Sequence, residues 1–286
     1  MSFFRYPGGK SKISDHIIAT LDKAAEKGYD QFREPFFGGG SIGIKFIAKN
    51  KVKNVWINDK DYGIDCLWNS VILYPKELRK MVTEFRPTVE EFYRIKEDLL
   101  RVDDAKNGSW EKIVKHGFEK LAIHQISYSG LGTKSGGPLG GSRQESKYKI
   151  DCRWSPKYIC KKIDALHSLF SEAKVDWCSN FDFGGLIENK DSKSLIYLDP
   201  PYFKKGNDLY QFGFSVADHE RLSKLLRETE HSWVLSYDDC EEIRDFYSWA
   251  DIQEIGVNYS ITALKDKETG DSLSRTKNEL IICGKR

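Results

Sequence analysis

Residues 31–43 read Gln31-Phe32-Arg33-Glu34-Pro35-Phe36-Phe37-Gly38-Gly39-Gly40-Ser41-Ile42-Gly43, and Val55-Trp56-Ile57-Asn58-Asp59 follows after a helix-spaced run through Lys49. A short extended segment, a glycine-rich turn, a helix and a second apolar strand make a βαβ unit, which places the chain in the α/β class. Gly38, Gly40 and Gly43 satisfy G-x-G-x-x-G, and Asp59 closes the next strand roughly twenty residues on. Such a turn lets a ligand approach the backbone, and an acid at that strand end suits ribose hydroxyls. Nicotinamide dinucleotides and S-adenosylmethionine share ribose and adenine, so these residues do not separate the two. A tight left-handed turn with a capping aspartate is the purely structural alternative.

Outward from this unit, Ile13, Ile17, Ile18, Leu21 and Ala25 predict an opening helix over Lys12 to Ala25, with Ser11 or Ser14 as its cap. Tyr6-Pro7-Gly8-Gly9-Lys10-Ser11 ends like a phosphate loop, but Phe4 stands where the first glycine of that motif belongs. A turn that lays an aromatic ring and a lysine against a cofactor fits better, and a plain surface turn is the alternative. Residues 62–127 read as mostly helical, with Pro75 and Pro87 as boundaries. Tyr128 to Ile150 is a long glycine-rich loop, and a helix is expected from Ser155 to Phe170. Short apolar segments return at 175–178, 195–198, 233–237 and 279–283, between helical patterns at 218–227 and 241–247. Lys265 to Lys277 is expected to be the loop of a late hairpin. The expectation is a discontinuous α/β domain, residues 1–74 and 175–286, flanking an inserted domain of residues 75–174.

At 286 residues with 40% hydrophobic and 13% aromatic side chains, the chain can bury one good core or a core plus a satellite. No apolar run is long enough to span a bilayer and no secretion signal opens the chain, so a cytoplasmic location is expected and no membrane partner. The six cysteines form no C-x-x-C pair and have no histidine cluster beside them, so no metal is expected and reduced thiols are the default.

Asp199-Pro200-Pro201-Tyr202 directly follows the apolar Ser194-Leu195-Ile196-Tyr197-Leu198. An exocyclic amine on a nucleobase is a poor nucleophile, because its lone pair is delocalised into the ring. It improves when both N–H groups are held by acceptors, here the Asp199 carboxylate and the Pro200 carbonyl. Two prolines preset the loop, and the Tyr202 face offers a stacking surface for a base swung out of its helix. A strand-ending turn with a core tyrosine is the alternative.

Between residues 134 and 162 lie Lys134, Arg143, Lys147, Lys149, Arg153, Lys157, Lys161 and Lys162 against Glu145 and Asp151, in a chain of net charge +2. Positive charge is therefore concentrated on the glycine-rich loop, which suits a DNA backbone. Lys157, Lys161 and Lys162 fall at helical spacing and read better as a solvated helix face.

In chain order, Tyr6-Pro7-Gly8-Gly9-Lys10, Glu34 to Gly40, Asn58-Asp59, Asp182-Phe183 and Asp199 to Tyr202 resemble the successive motifs of the Dam-type (D12 class) adenine-N6 DNA methyltransferases. The resemblance implies a Rossmann-like S-adenosylmethionine-dependent methyltransferase sheet with an inserted, mainly helical target-recognition domain and a hairpin loop. It implies cofactor contacts at Tyr6, Lys10, Glu34, Pro35, Phe36, Gly38, Gly40, Asp59, Asp182, Phe183 and Asp199, and catalysis at Asp199, Pro200, Pro201 and Tyr202. The methyl group would pass in line to a flipped adenine in duplex DNA, with no covalent enzyme intermediate and no metal. DNA contacts are expected at Ser129, Lys134, Arg143, Lys147, Lys149 and Arg153, and a cognate restriction endonuclease is a candidate partner. Tyr6 replaces the family's usual tryptophan, and the family's base-reading Asn-Gly-Leu-Tyr-Arg is replaced by Ser129-Gly130-Leu131-Gly132-Thr133, so the target sequence is not implied. Cytosine-N4 methylation, a nicotinamide dehydrogenase and a catalytically silent DNA-binding scaffold stand as alternatives. Cytosine-C5 chemistry would want a Pro-Cys dipeptide, which the chain lacks.

Overall fold

A computed structural model describes residues 3–10, 12–101, 109–204, 213–265 and 272–284. Helix α1 spans Ser14–Ala25, strand β1 Gln31–Glu34, helix α2 Ser41–Asn50 and strand β2 Val55–Asn58. The expected unit is thus present, with α1 starting two residues late. Its N-cap is Ile13, which offers no side-chain acceptor, and Ser11 lies outside the described residues. Ser14 Oγ accepts from Lys45 Nζ at 2.9 Å instead of capping the helix.

Four helices follow as the proline boundaries predict: α3 (Tyr62–Leu73), α4 (Pro75–Glu84), α5 (Val89–Leu100) and α6 (Trp110–Ile126). The glycine-rich loop forms two single 3-10 turns, Tyr128–Gly130 and Gly132–Lys134, and closes hairpin-fashion through one antiparallel bridge between Ser127 and Pro138. Helix α7 (Pro156–Glu172) leads to β3 (Cys178–Ser179), α8 (Phe183–Glu188), β4 (Ser194–Leu198), α9 (Val216–Glu228), β5 (Ser232–Asp238), α10 (Glu241–Phe246), β6 (Asp251–Lys265) and β7 (Ser272–Cys283).

The seven strands form one sheet in the order β3-β2-β1-β4-β5-β7-β6. Neighbouring pairs from β3 through β5 are parallel, and β7 runs antiparallel to both β5 and β6. This is a Rossmann-like sheet whose strand order reverses between β1 and β4. Neighbouring connections leave in opposite directions there, which opens a crevice at the carboxyl ends of these two strands. Helices cover both faces, so β4 is buried along its whole length and reads as a continuous apolar run. One apolar cluster joins α1 to α7 with one face of the sheet, and a second joins α8, α9 and α10 with the other. No described helix is long and apolar enough to cross a membrane.

The late hairpin is longer than expected. Ser272 to Lys277 pair with β6 rather than looping, and residues 266–271 of the expected loop lie outside the described residues.

Candidate active site

Glu34 ends β1 and Asp199 follows β4, so the switch point sets two acids far apart in sequence side by side. They open into one cavity of about 1450 Å³. Of the predicted residues, Tyr6, Glu34, Pro35, Phe36, Gly38, Gly40, Asp59, Asp182, Phe183, Asp199, Pro201 and Arg153 line it. Lys10, Pro200 and Tyr202 do not line it, although Lys10 pairs with the lining Asp199 and stands over the Tyr202 ring. Ser129, Lys134, Arg143, Lys147 and Lys149 are exposed and lie away from it.

The glycine turn is shaped by its neighbours. Gly38 sits at φ 47°, its amide donates to Asp59 Oδ2 at 2.7 Å, and its carbonyl accepts from Trp68 Nε1 of α3 at 2.8 Å. A Cβ at Gly38 would lie 2.7 Å from the Tyr6 ring, so the aromatic closes directly over the turn. At Gly43 a Cβ would collide with Glu34 Oε2. Glycine is therefore required at both positions, at Gly38 by backbone conformation and at Gly43 by space.

Burial shifts the acids Glu34 and Asp59 of the crevice, and Asp65 of α3 beside Asp59, toward their protonated forms. Burial, and then the charges of Asp199 and Asp59, push the Glu34 carboxyl well above its ordinary range. The Gly43 backbone pulls it the other way, and Oε2 is buried with no hydrogen-bond partner that meets standard geometry among the described residues. Burial, and then Asp61, raise Asp59 to about 7, although the amides of Gly38 and Asp61 both donate to it. Asp65 is likewise raised to about 7 by burial and by Asp59. Asp61 itself caps α3 and pairs with the buried Lys120.

The Asp199 loop is held on every side. Lys10 Nζ lies 2.7 Å from Asp199 Oδ1, donates to Gly8 O at 3.1 Å and stands 4.5 Å from the centre of the Tyr202 ring. Lys10, expected beside the cofactor, thus reaches the acid. Ser236 Oγ donates to Asp199 Oδ1 at 3.0 Å, and Tyr202 OH donates to Glu279 Oε2 at 2.8 Å. The amides of Phe203 and Lys204 both donate to Asp238, which terminates β5. Burial raises the Asp199 carboxyl despite Lys10 and Ser236.

At the far end, Asp182 caps α8 and forms a two-pronged ion pair with Arg221 of α9. The Arg221 guanidinium lies 4.5 Å from the Phe183 ring centre, and Phe36, Phe183 and Phe214 pack with centroids 5.3–5.7 Å apart. The hydrogen bond with Arg221 holds the Asp182 carboxyl below its usual range. Lys157 and Lys161 are exposed as expected of a helix face, but Lys162 is not. It donates to Phe3 O at 3.1 Å and covers the Tyr158 ring, because α7 packs against the N-terminal segment.

Sequence reasoning missed Ser236, Tyr197, Glu279, Arg221 and Phe214. Tyr197 lies in the strand before Asp199 but carries no motif of its own; strand order brings in Ser236 and Glu279, and the packing of α9 and its approach against α8 brings in Arg221 and Phe214. Among the described residues no group of three or more His, Cys, Asp or Glu side chains is placed to hold a metal ion.

Comparison with known proteins agrees with this geometry. A family model, that of the D12 class N6 adenine-specific DNA methyltransferases, matches residues 6–261. The chain is 26% identical over 249 residues to the type II methyltransferase M.MjaIII of Methanocaldococcus jannaschii, covering 80% of each chain. It is 22% identical over 245 residues to the type II methyltransferase M1.LlaDCHI of Lactococcus lactis subsp. cremoris, covering 81% of this chain and 78% of that one.

Proposed function

The chain belongs to the D12 class of N6 adenine-specific DNA methyltransferases, and on that premise we propose that it takes its methyl group from S-adenosylmethionine and delivers it to an adenine rotated out of the duplex. Methylation of DNA at adenine N6 is the reaction of its family, and the chain is an enzyme of that class. Family membership sets aside the cytosine-N4, dehydrogenase and silent-scaffold alternatives.

The cavity suits this donor. Glu34 Oε2, buried and with no partner of standard geometry among the described residues, is an acceptor matched to a cationic amino group, which would hold the carboxyl ionised. Gly38 and Gly40, with Pro35 and Phe36 beside them and Tyr6 above, admit a ligand against the backbone. Asp59, fixed by two amides, is assigned to ribose hydroxyls, and Asp182 and Phe183 to the cofactor adenine. When bound, S-adenosylmethionine supplies a methyl group activated by a positively charged sulfur.

Asp199 and the Pro200 carbonyl accept the N–H groups of the target amine and turn its lone pair toward that methyl. The nitrogen gains the methyl and loses a proton, which Asp199, with its raised pKa, is suited to receive. Pro200 and Pro201 hold the loop in advance, and Tyr202 is assigned to the flipped base. Residues 75–174 are assigned to target recognition, with Ser129, Lys134, Arg143, Lys147, Lys149 and Arg153 toward the DNA backbone. Two type II relatives support pairing with a cognate restriction endonuclease.

One observation carries this reading above the others: Glu34 and Asp199, on adjacent strands at the switch point, face a single cavity. The test is expression in a host lacking adenine methylation, with single-molecule mapping of modified bases and Asp199→Ala as control. Methylated adenines in one short motif, absent from the control, are expected. An unmodified genome from a well-folded protein overturns the proposal.

A further inference from the structure

The two oxygens of the Asp199 carboxylate are not equivalent. Oδ1 receives Lys10 Nζ at 2.7 Å and Ser236 Oγ at 3.0 Å, whereas no hydrogen bond from the described residues reaches Oδ2. Ser236 Oγ lies 2.9 Å from the phenol oxygen of Tyr197, and both residues are buried. A serine hydroxyl has one proton to give. With Asp199 ionised, the carboxylate is its strongest acceptor, since Leu198 O stands at 3.5 Å, and the Tyr197 phenol then donates to Ser236. Phenol, hydroxyl and carboxylate therefore run in one direction. Tyr197 and Ser236 stand on the adjacent parallel strands β4 and β5, where Tyr197 pairs with Val234 and Leu198 with Leu235. The sheet ladder fixes their spacing.

We propose that Ser236 and Tyr197 are positioning residues for methyl transfer: together with Lys10 they engage Oδ1, fix the rotation of the Asp199 carboxyl and leave Oδ2 as the acceptor for the adenine amine. The proposal rests on the reading of Asp199 as that acceptor. A carboxyl free to rotate would have to be oriented anew in each turnover, whereas one held by a buried chain of hydroxyls meets the amine already aligned. Hydrogen bonds in such a chain polarise one another and strengthen in a dry interior.

Among the described residues, the charged and titratable groups facing Asp199 are Lys10 from the N-terminal segment, Glu34 from β1, Tyr197 from β4, Tyr202 from the loop after it, Tyr237 from β5 and Glu279 from β7. Burial and Glu279 oppose the carboxylate, while Lys10 and Ser236 favour it. Loss of Ser236 therefore moves the acid limb of kcat to higher pH.

The experiment is steady-state methylation of unmethylated genomic DNA with S-adenosylmethionine by Ser236→Ala, Tyr197→Phe, their double variant, Ser236→Thr and Asp199→Asn. Ser236→Ala is expected to lower kcat roughly 10-fold, the effect of one lost hydrogen bond to a charged group, with KM for both substrates unchanged and the acid limb raised. Ser236→Thr, which keeps the hydroxyl, regains most of that loss. Tyr197→Phe lowers kcat by less, and adds nothing in the Ser236→Ala background because it acts through Ser236. A wild-type kcat and acid limb in Ser236→Ala, or an undiminished Tyr197→Phe effect in the double variant, overturns the proposal. Where Ser236→Ala does not fold, Tyr197→Phe decides by the same kcat-against-KM split. An inactive Asp199→Asn beside wild-type relay variants overturns the relay alone, and an active Asp199→Asn overturns the acceptor reading beneath it.

Discussion

Lys10 Nζ and Asp199 Oδ1 meet at 2.7 Å, with Lys10 4% exposed and Asp199 20% exposed, so the first turn of the chain is tied to the loop that carries the chemistry. Removing Lys10 leaves Asp199 without its cation in a largely dry site. Lys10→Met is expected to cost about 2 kcal/mol or less at neutral pH, below the usual toll of breaking a buried pair, because Asp199 escapes by taking a proton. The same escape lowers kcat at pH 7 and lets it recover as pH rises. A pH–kcat profile superimposable on wild type would show that the pair does not govern the ionisation of Asp199.

Asp59 has a carboxyl raised to about 7 by burial, against an unfolded value near 4. Between these values the folded protein binds more protons at this site than the unfolded chain does. Its contribution is therefore fully present below pH 4 and is lost as pH climbs through 7. Melting curves of wild type and Asp59→Asn across pH 4.5–8 are expected to diverge with the variant gaining relative stability as pH rises. A constant difference in Tm across that range contradicts the assignment. Histidines such as His124, held neutral by burial, slope the opposite way and cancel in the comparison.

Arg221 clasps Asp182 at the surface, the two side chains being 44% and 49% exposed, so the pair adds little to stability, about 0.5 kcal/mol. Its effect is expected on the cofactor end of the cavity. Arg221→Ala should raise KM for S-adenosylmethionine about 5-fold, through a less ordered Asp182-Phe183 corner, with kcat at saturation retained. Calorimetric titration with an unchanged affinity would remove Arg221 from that role.

A methyl group at position 43 has nowhere to go between Glu34 Oε2 and the Phe37 ring, the latter 2.9 Å from the added carbon. Gly43→Ala is expected to destabilise the fold by about 1–3 kcal/mol and to abolish the rise in Tm that S-adenosylmethionine gives the wild type. Retention of the full ligand-induced shift sinks the idea that Glu34 and its turn hold the donor.

Arg143 and Lys147 are exposed on the glycine-rich loop, whereas Lys149 Nζ already donates to Gln144 O. Alanine at Arg143 or Lys147 is expected to weaken DNA binding across all sequences and to reduce the slope of log K against log salt by about 1 each. Lys149→Ala should change the slope less. Loss of selectivity for one base with an unaltered slope would point to groove contact instead.

Much of this architecture is legible in local pattern. β1, α2 and β2 fall where apolar spacing and glycine chemistry set them, and Pro75 opens α4 at its first turn. β6 escaped, because its start, Asp251-Ile252-Gln253-Glu254-Ile255, is an edge strand whose alternating polar residues do not read as core. α8 escaped for the opposite reason, since Phe183-Gly184-Gly185 has poor helix propensity and is held by the Asp182 cap and the packing of Phe183.

The sequence alone determined the βαβ core, the glycine turn and the acid–diproline–tyrosine loop, because periodicity, turn chemistry and proline geometry act between residues close along the chain. Tertiary structure alone decided what each acid touches. Lys10 and Ser236 on Asp199, Arg221 on Asp182, Glu279 on Tyr202 and the burial of Glu34 Oε2 depend on strand order and packing. A carboxyl's charge and orientation are set by the low-dielectric surroundings and by neighbours that only packing brings within hydrogen-bond distance.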